Sequence, residues 1–121
     1  MKKILIVDDE EVLRMLIADT LEDLGFSIEE AEDGEEAWEV IQKNSYDLII
    51  LDYMMPGMTG VEVLKKLKES TVKKDIPVLM LTARSQQKDK EELLAVGADY
   101  FMEKPFRPMK LQELVEEIFH V

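Results

Sequence analysis

Leu48-Ile49-Ile50-Leu51 is a run of four branched aliphatic residues that ends at Asp52 and gives way to the loop sequence Tyr53-Met54-Met55-Pro56-Gly57-Met58-Thr59-Gly60. A short apolar run without polar alternation predicts a strand buried on both faces, and such a strand belongs in the middle of a parallel sheet with helices on either side. A carboxylate at the carboxyl end of a central strand, followed by a Pro/Gly loop, stands where open α/β sheets place their ligand chemistry. Asp52 is either a simple loop cap or the centre of a site, and the other segments must decide.

Strand-like runs alternate with helical periodicity five times along the chain, which predicts a parallel sheet with right-handed crossovers. Lys3 to Val7 reads as the first strand. Asp8-Asp9-Glu10-Glu11 follows and leads into a helix with apolar residues at Leu13, Leu16, Ile17, Leu21 and Leu24, stopped by Gly25. Acids at a helix N-terminus suit its dipole, but four in succession exceed what capping needs. Phe26 to Ala31 predicts a shorter strand, and its Ser27, Glu29 and Glu30 suit an edge.

Asp33-Gly34-Glu35-Glu36 has capping-box spacing and opens a helix with an inner face of Ala37, Trp38, Val40 and Ile41. Thr59-Gly60-Val61-Glu62 repeats that spacing ahead of a helix turning Val61, Leu64 and Leu67 inward. Pro77 introduces a fourth strand, Val78 to Leu81, which ends in Thr82. The next helical segment is polar from Ser85 to Glu92, so only Leu93, Leu94 and Val96 are left to attach it and loose attachment is expected. Tyr100 to Glu103 predicts a fifth strand ending at Lys104-Pro105. Arg107-Pro108 then opens a last helix that buries Leu111, Leu114, Val115, Ile118 and Phe119.

Strands one, three and four are apolar throughout and must be central, whereas two and five are mixed and fit the edges. The predicted fold is a doubly wound α/β domain: a five-stranded parallel sheet of order 2-1-3-4-5, a flavodoxin-like (βα)5 arrangement over residues 1–121.

Composition narrows the function. The chain carries 27 acids against 15 Lys and Arg, a net charge of -12, which argues against a nucleic-acid partner because phosphate binding needs a basic patch. There is no Cys, which excludes disulfides, thiolate metal sites and Cys nucleophiles. The apolar run after Met1-Lys2-Lys3 is too short for a signal peptide, and no stretch approaches the ~20 apolar residues of a membrane span. A soluble, cytoplasmic protein without membrane contact is expected.

Every distinctive polar residue follows the carboxyl end of a strand: Asp8 and Asp9 the first, Asp52 the third, Thr82 the fourth, Lys104 the fifth. In the predicted order these strands are neighbours, so the residues converge at the switch between strands one and three. Three carboxylates in one pocket repel until a proton or a cation joins them. With only oxygen ligands on offer, Mg2+ is the natural cation. Thr82 and Lys104 go beyond metal binding, since a hydroxyl and an ammonium at that rim suit the neutralisation of a phosphoryl group on Asp52.

Val7-Asp8-Asp9, Leu51-Asp52, Met55-Pro56-Gly57, Leu81-Thr82-Ala83, Gly97-Ala98-Asp99 and Lys104-Pro105-Phe106 together resemble the signature segments of the receiver domain of two-component response regulators, in that family's order and spacing. The likeness runs from Lys2 to Val121. It implies that Asp52 accepts a phosphoryl group from a sensor histidine kinase or phosphotransfer protein. It implies that Asp9 binds Mg2+ directly, Asp8 largely through water, and that the backbone carbonyl of Met54 completes the protein ligands. Lys104 would pair with the phosphoryl group, Thr82 would close on it, and Phe101 would be the switch aromatic, favoured inward. The resemblance further implies a cis peptide between Lys104 and Pro105. It also implies a surface of the fourth helix, fifth strand and fifth helix that changes for a downstream output protein or domain.

Such a chain is a phosphoacceptor and not a turnover enzyme. A haloacid-dehalogenase-type phosphatase also uses an Asp nucleophile and Mg2+, but resembles D-x-D, and Met54 replaces the second Asp with a thioether that cannot shuttle protons. A flavin or nucleotide module would need glycines in the first loop, which is acidic here. In the receiver family Met54 and Arg84 flank the approach of water to Asp52 and would prolong the phosphoryl lifetime. Val12, Met15 and Leu16 widen the apolar arc of the first helix, which suits docking of a helical partner, while His120 is expected to have no role.

Overall fold

The computed structural model describes residues 1–83 and 87–120. Strands β1 (Lys3–Val7), β2 (Ser27–Ala31), β3 (Leu48–Asp52), β4 (Val78–Thr82) and β5 (Tyr100–Glu103) alternate with helices α1 (Glu11–Glu22), α2 (Gly34–Lys43), α3 (Gly60–Glu69), α4 (Gln87–Val96) and α5 (Pro108–Phe119). All pairings are parallel and the order is β2-β1-β3-β4-β5, the predicted doubly wound order with the apolar strands central and the mixed ones at the edges.

The three apolar strands are buried on both faces. Ile4, Ile6, Leu48, Ile50, Leu79 and Leu81 point into a core shared with α1 and α5. Leu5, Val7, Ile49, Leu51, Val78 and Met80 point into the opposite core with α2 and α3, which also takes in Leu93 of α4. Each such side chain removed from water contributes about 1.5–3 kcal/mol, so the centre of the sheet is the most stable part of the molecule and a rigid base for its ends.

Capping follows the sequence closely. Thr59 and Glu62 form a reciprocal box at the start of α3. Asp33 accepts from the Glu36 N–H, but the Glu36 carboxylate accepts from Glu32 N instead of closing the box. Gly25 and Gly97, with φ of 91° and 121°, terminate α1 and α4 in the left-handed region.

Several side chains depart from the expected faces. Leu16 is 41% exposed and Leu94 54% exposed, so neither belongs to the core, whereas Val63 of α3 is fully buried. Trp38 is only partly buried, with the Lys66 ammonium 5.9 Å from its ring centre. Phe26 lies just outside β2 and packs its ring against Phe119 at 5.3 Å. Arg84 and Ser85 lie outside the described residues. Among those described, no helix is long and apolar enough to cross a membrane.

Candidate functional site

Parallel pairing puts the carboxyl ends of the strands along one edge, and there the polar residues meet. Asp8 follows β1, Asp52 ends β3, Thr82 ends β4 and Lys104 follows β5. Carboxylate oxygens of Asp8, Asp9 and Asp52 lie within 4.8 Å of one another. Asp8, Asp52 and Thr82 are buried and Asp9 is exposed, which leaves the cluster one open side.

Lys104 closes the opposite side. Its Nζ stands 3.1 Å from Asp52 Oδ1, 3.1 Å from Asp8 Oδ2 and 3.8 Å from Glu10 Oε1. The backbone holds it there, since Lys104 N–H donates to the Thr82 carbonyl at 2.7 Å and so extends the β4–β5 pairing by one residue. The Lys104–Pro105 peptide is cis.

The Pro/Gly loop after Asp52 turns back on its own strand. Gly60 N–H donates to Tyr53 O at 3.1 Å, and a Cβ on Gly60 would collide with the Asp52 carbonyl oxygen. Only glycine allows α3 to start so close to the end of β3. Met54 projects outward, 65% exposed. Phe101, opposite Met80 in the sheet register, is partly buried against the core while lining a surface pocket with Pro105 and Lys110. It is thus not the fully inward ring that the resemblance favours.

Crowding shows in the electrostatics. Burial, and then the charge of Asp8, push Asp52 from 3.8 up to about 6, with Lys104 offsetting part and Asp9 adding to the rise. For Lys104 burial disfavours the ammonium, but the bonds and charges of Asp52 and Asp8 outweigh it and hold the group above its usual value. Three acids facing one ammonium form a site short of positive charge. Clustered carboxylate oxygens, without nitrogen or sulfur donors, fit a hard divalent cation such as Mg2+.

Two participants escaped the sequence reading. Glu10 donates its N–H to Asp8 Oδ1 at 2.9 Å, and Arg14 donates through Nη1 to the Asp8 carbonyl at 2.7 Å. The available signal was a lone arginine one turn into a helix that begins on four acids.

The chain matches the response regulator receiver domain model over residues 4–116. It is 46% identical over 110 residues to the phosphate regulon transcriptional regulatory protein PhoB of Pseudomonas aeruginosa, covering 91% of this chain and 48% of that protein. It is 37% identical over 118 residues to the chemotaxis protein CheY-3 of Vibrio cholerae, covering 97% and 91%. The solved structure of the Vibrio cholerae chemotaxis response regulator CheY4 superposes with a TM-score of 0.93 at 40% identity, covering 98% of each chain. The chain thus spans about half the length of PhoB and nearly all of CheY-3. Fold, acidic cluster and likeness agree: this chain belongs to the receiver domains of two-component response regulators.

Proposed function

We propose that the whole chain, residues 1–121, acts as one receiver and that Asp52 is its phosphoacceptor. The observation that carries this reading is the Lys104 ammonium, equidistant from Asp52 and Asp8 in a buried corner of the carboxylate cluster. Asp9, Asp52 and the Met54 carbonyl, with Asp8 largely through water, would hold Mg2+. Bound there, the ion would neutralise carboxylate charge and polarise phosphoryl oxygens.

A carboxylate oxygen of Asp52 attacks phosphorus while the P–N bond to the donor's phosphohistidine breaks, and the electron pair returns to the imidazole. Lys104 leaves its carboxylate partners for a phosphoryl oxygen. The acyl phosphate carries roughly -1.5 to -2 charges where the carboxylate carried one, by analogy with phosphoserine. The Thr82 hydroxyl is drawn toward it. Phe101, partly buried already, turns into the space vacated, and the face of α4, β5 and α5 changes for an output protein or domain. Coupling of this kind is worth about 1–3 kcal/mol, enough to bias a partner.

Met54 offers no general acid or base, so the chain is a phosphoacceptor without sustained phosphatase turnover. Its donor is a sensor histidine kinase or phosphotransfer protein of the cytoplasm, and the net charge of -12 argues against direct contact with nucleic acid. Docking falls on α1 and the loop after Lys104, where Leu13, Leu16, Pro105 and Phe106 line a pocket of about 500 Å³ and Val12 and Met15 are exposed beside it. Met15→Lys should slow transfer from the cognate kinase and leave phosphorylation by a small acyl phosphate unchanged; equal slowing of both speaks against docking there.

The direct test is intact mass after incubation with an acyl phosphate. One added phosphoryl group is expected, absent in Asp52→Asn and absent under EDTA. Its persistence in either case refutes the assignment.

A further inference from the structure

We propose that Arg14 is a positioning residue for Asp8 and Asp9: its guanidinium fixes the backbone carbonyl of Asp8 and thereby sets the affinity of the acidic cluster for a divalent cation. This rests on the reading of that cluster as a Mg2+ site. Arg14 Nη1 donates to Asp8 O at 2.7 Å, and Nε donates to Glu30 Oε1 at 3.2 Å. The acceptors belong to different elements, the turn after β1 and the edge strand β2. A guanidinium serves both because its donors form a rigid planar fork. Its side chain is 12% exposed against 41% for Glu30, so the bond to the Asp8 carbonyl is the better shielded of the two.

Asp8 is held at three further points. Its N–H donates to Ala31 O at 3.2 Å, Oδ1 accepts from Glu10 N at 2.9 Å, and Oδ2 accepts from Lys104 Nζ at 3.1 Å. Those bonds set where the residue starts and where its carboxylate points. The carbonyl bond sets the plane of the peptide that leads into Asp9. Among the described residues no hydrogen bond holds the Asp9 carboxylate, so its place in the cluster is inherited from that peptide. Asp8 is fully buried, and its carbonyl would lose its partner if Arg14 were removed.

Charge alone predicts the opposite effect. A cation beside three carboxylates repels an incoming divalent ion, so a merely electrostatic Arg14 would weaken binding and its removal would tighten it. The sign of the change therefore separates positioning from charge.

Mg2+ is titrated calorimetrically into the metal-free full chain as wild type, Arg14→Met and Arg14→Lys, with thermal melts in EDTA alongside. Both replacements are good helix formers. Arg14→Met should weaken Mg2+ binding about 10-fold, the scale seen when a group that orients a metal ligand is removed. Arg14→Lys, with a single point donor, should fall between it and wild type. Unchanged or tighter binding in Arg14→Met overturns the proposal, even if the EDTA melt is lowered, because the arginine would then be only a structural brace. If Arg14→Met does not fold, Arg14→Lys decides, and wild-type affinity there overturns it. A wild type that takes up no Mg2+ brings down the metal-site reading as well; a wild type that binds beside variants that bind equally brings down this inference alone.

Discussion

Replacing Asp52 by Asn in the metal-free protein is expected to raise stability at neutral pH, although it removes the residue the site is built around. Asp52 ionises at about 6 instead of 3.8, because it is buried and because it faces Asp8, with Lys104 repaying only part of the penalty. A group whose folded value is raised contributes fully below its unfolded value of 3.8 and loses that contribution as pH rises through about 6. Above that range the ionised form costs up to about 3 kcal/mol. The cluster is open to water on the Asp9 side, and screening there reduces the recoverable part to about 1–2 kcal/mol. Asn matches the protonated acid in shape and removes the cost.

In EDTA at about pH 8 the variant should melt roughly 3–8 °C above wild type. The gap should close toward about pH 4, where wild-type Asp52 is protonated as well. Saturating Mg2+ should also narrow it, since an ion that binds only the folded wild type stabilises that protein. A variant that melts at or below wild type in EDTA at alkaline pH, or an advantage undiminished in acid, refutes the idea that carboxylate crowding strains this fold.

Leu93 is the one fully buried side chain among those described in α4, and Leu93→Ala should cost about 2–5 kcal/mol in denaturant unfolding, with faster amide exchange in α4 than in β1 or β3. Gly60→Ala forces a Cβ against the Asp52 carbonyl and should lower stability by about 1–3 kcal/mol while slowing acyl-phosphate labelling of Asp52; labelling at the wild-type rate would show that the loop yields without moving the aspartate. If Met54 and Arg84 flank the approach of water to Asp52, as the family resemblance implies, a thioether that gives the water no hydrogen bond and a guanidinium that cannot accept its proton both oppose hydrolysis, and Met54→Asn and Arg84→Glu should each hasten loss of the phosphoryl group after donor removal. Decay unchanged in both variants would dismiss these positions as the brake.

Central and edge strands were legible from polarity, and the doubly wound pattern supplied their order. Runs such as Leu48 to Leu51 tolerate no solvent on either face, whereas Glu29, Glu30 and Glu103 require it, and among the arrangements that meet both demands the doubly wound order 2-1-3-4-5 is the one the sheet adopts. Convergence of Asp8, Asp9, Asp52, Thr82 and Lys104 followed, because parallel strands end on one side and adjacency brings those ends together. Helix faces were read less well. Periodicity assigns a residue to an arc of the helix, but whether the edge of that arc is covered depends on where the neighbouring element crosses. Leu16 and Leu94 stand at such edges and remain exposed, while Val63 is covered by the sheet. The contacts that tune the site were settled only by tertiary structure. Lys104 reaches Asp8 across 96 positions of sequence, Arg14 grips the Asp8 carbonyl as well as the Glu30 carboxylate, and Gly60 is needed for space rather than for turn chemistry. Local sequence encodes propensity and polarity, whereas a distance of 3 Å between remote atoms exists only once both cores have packed and removed the chain's other options.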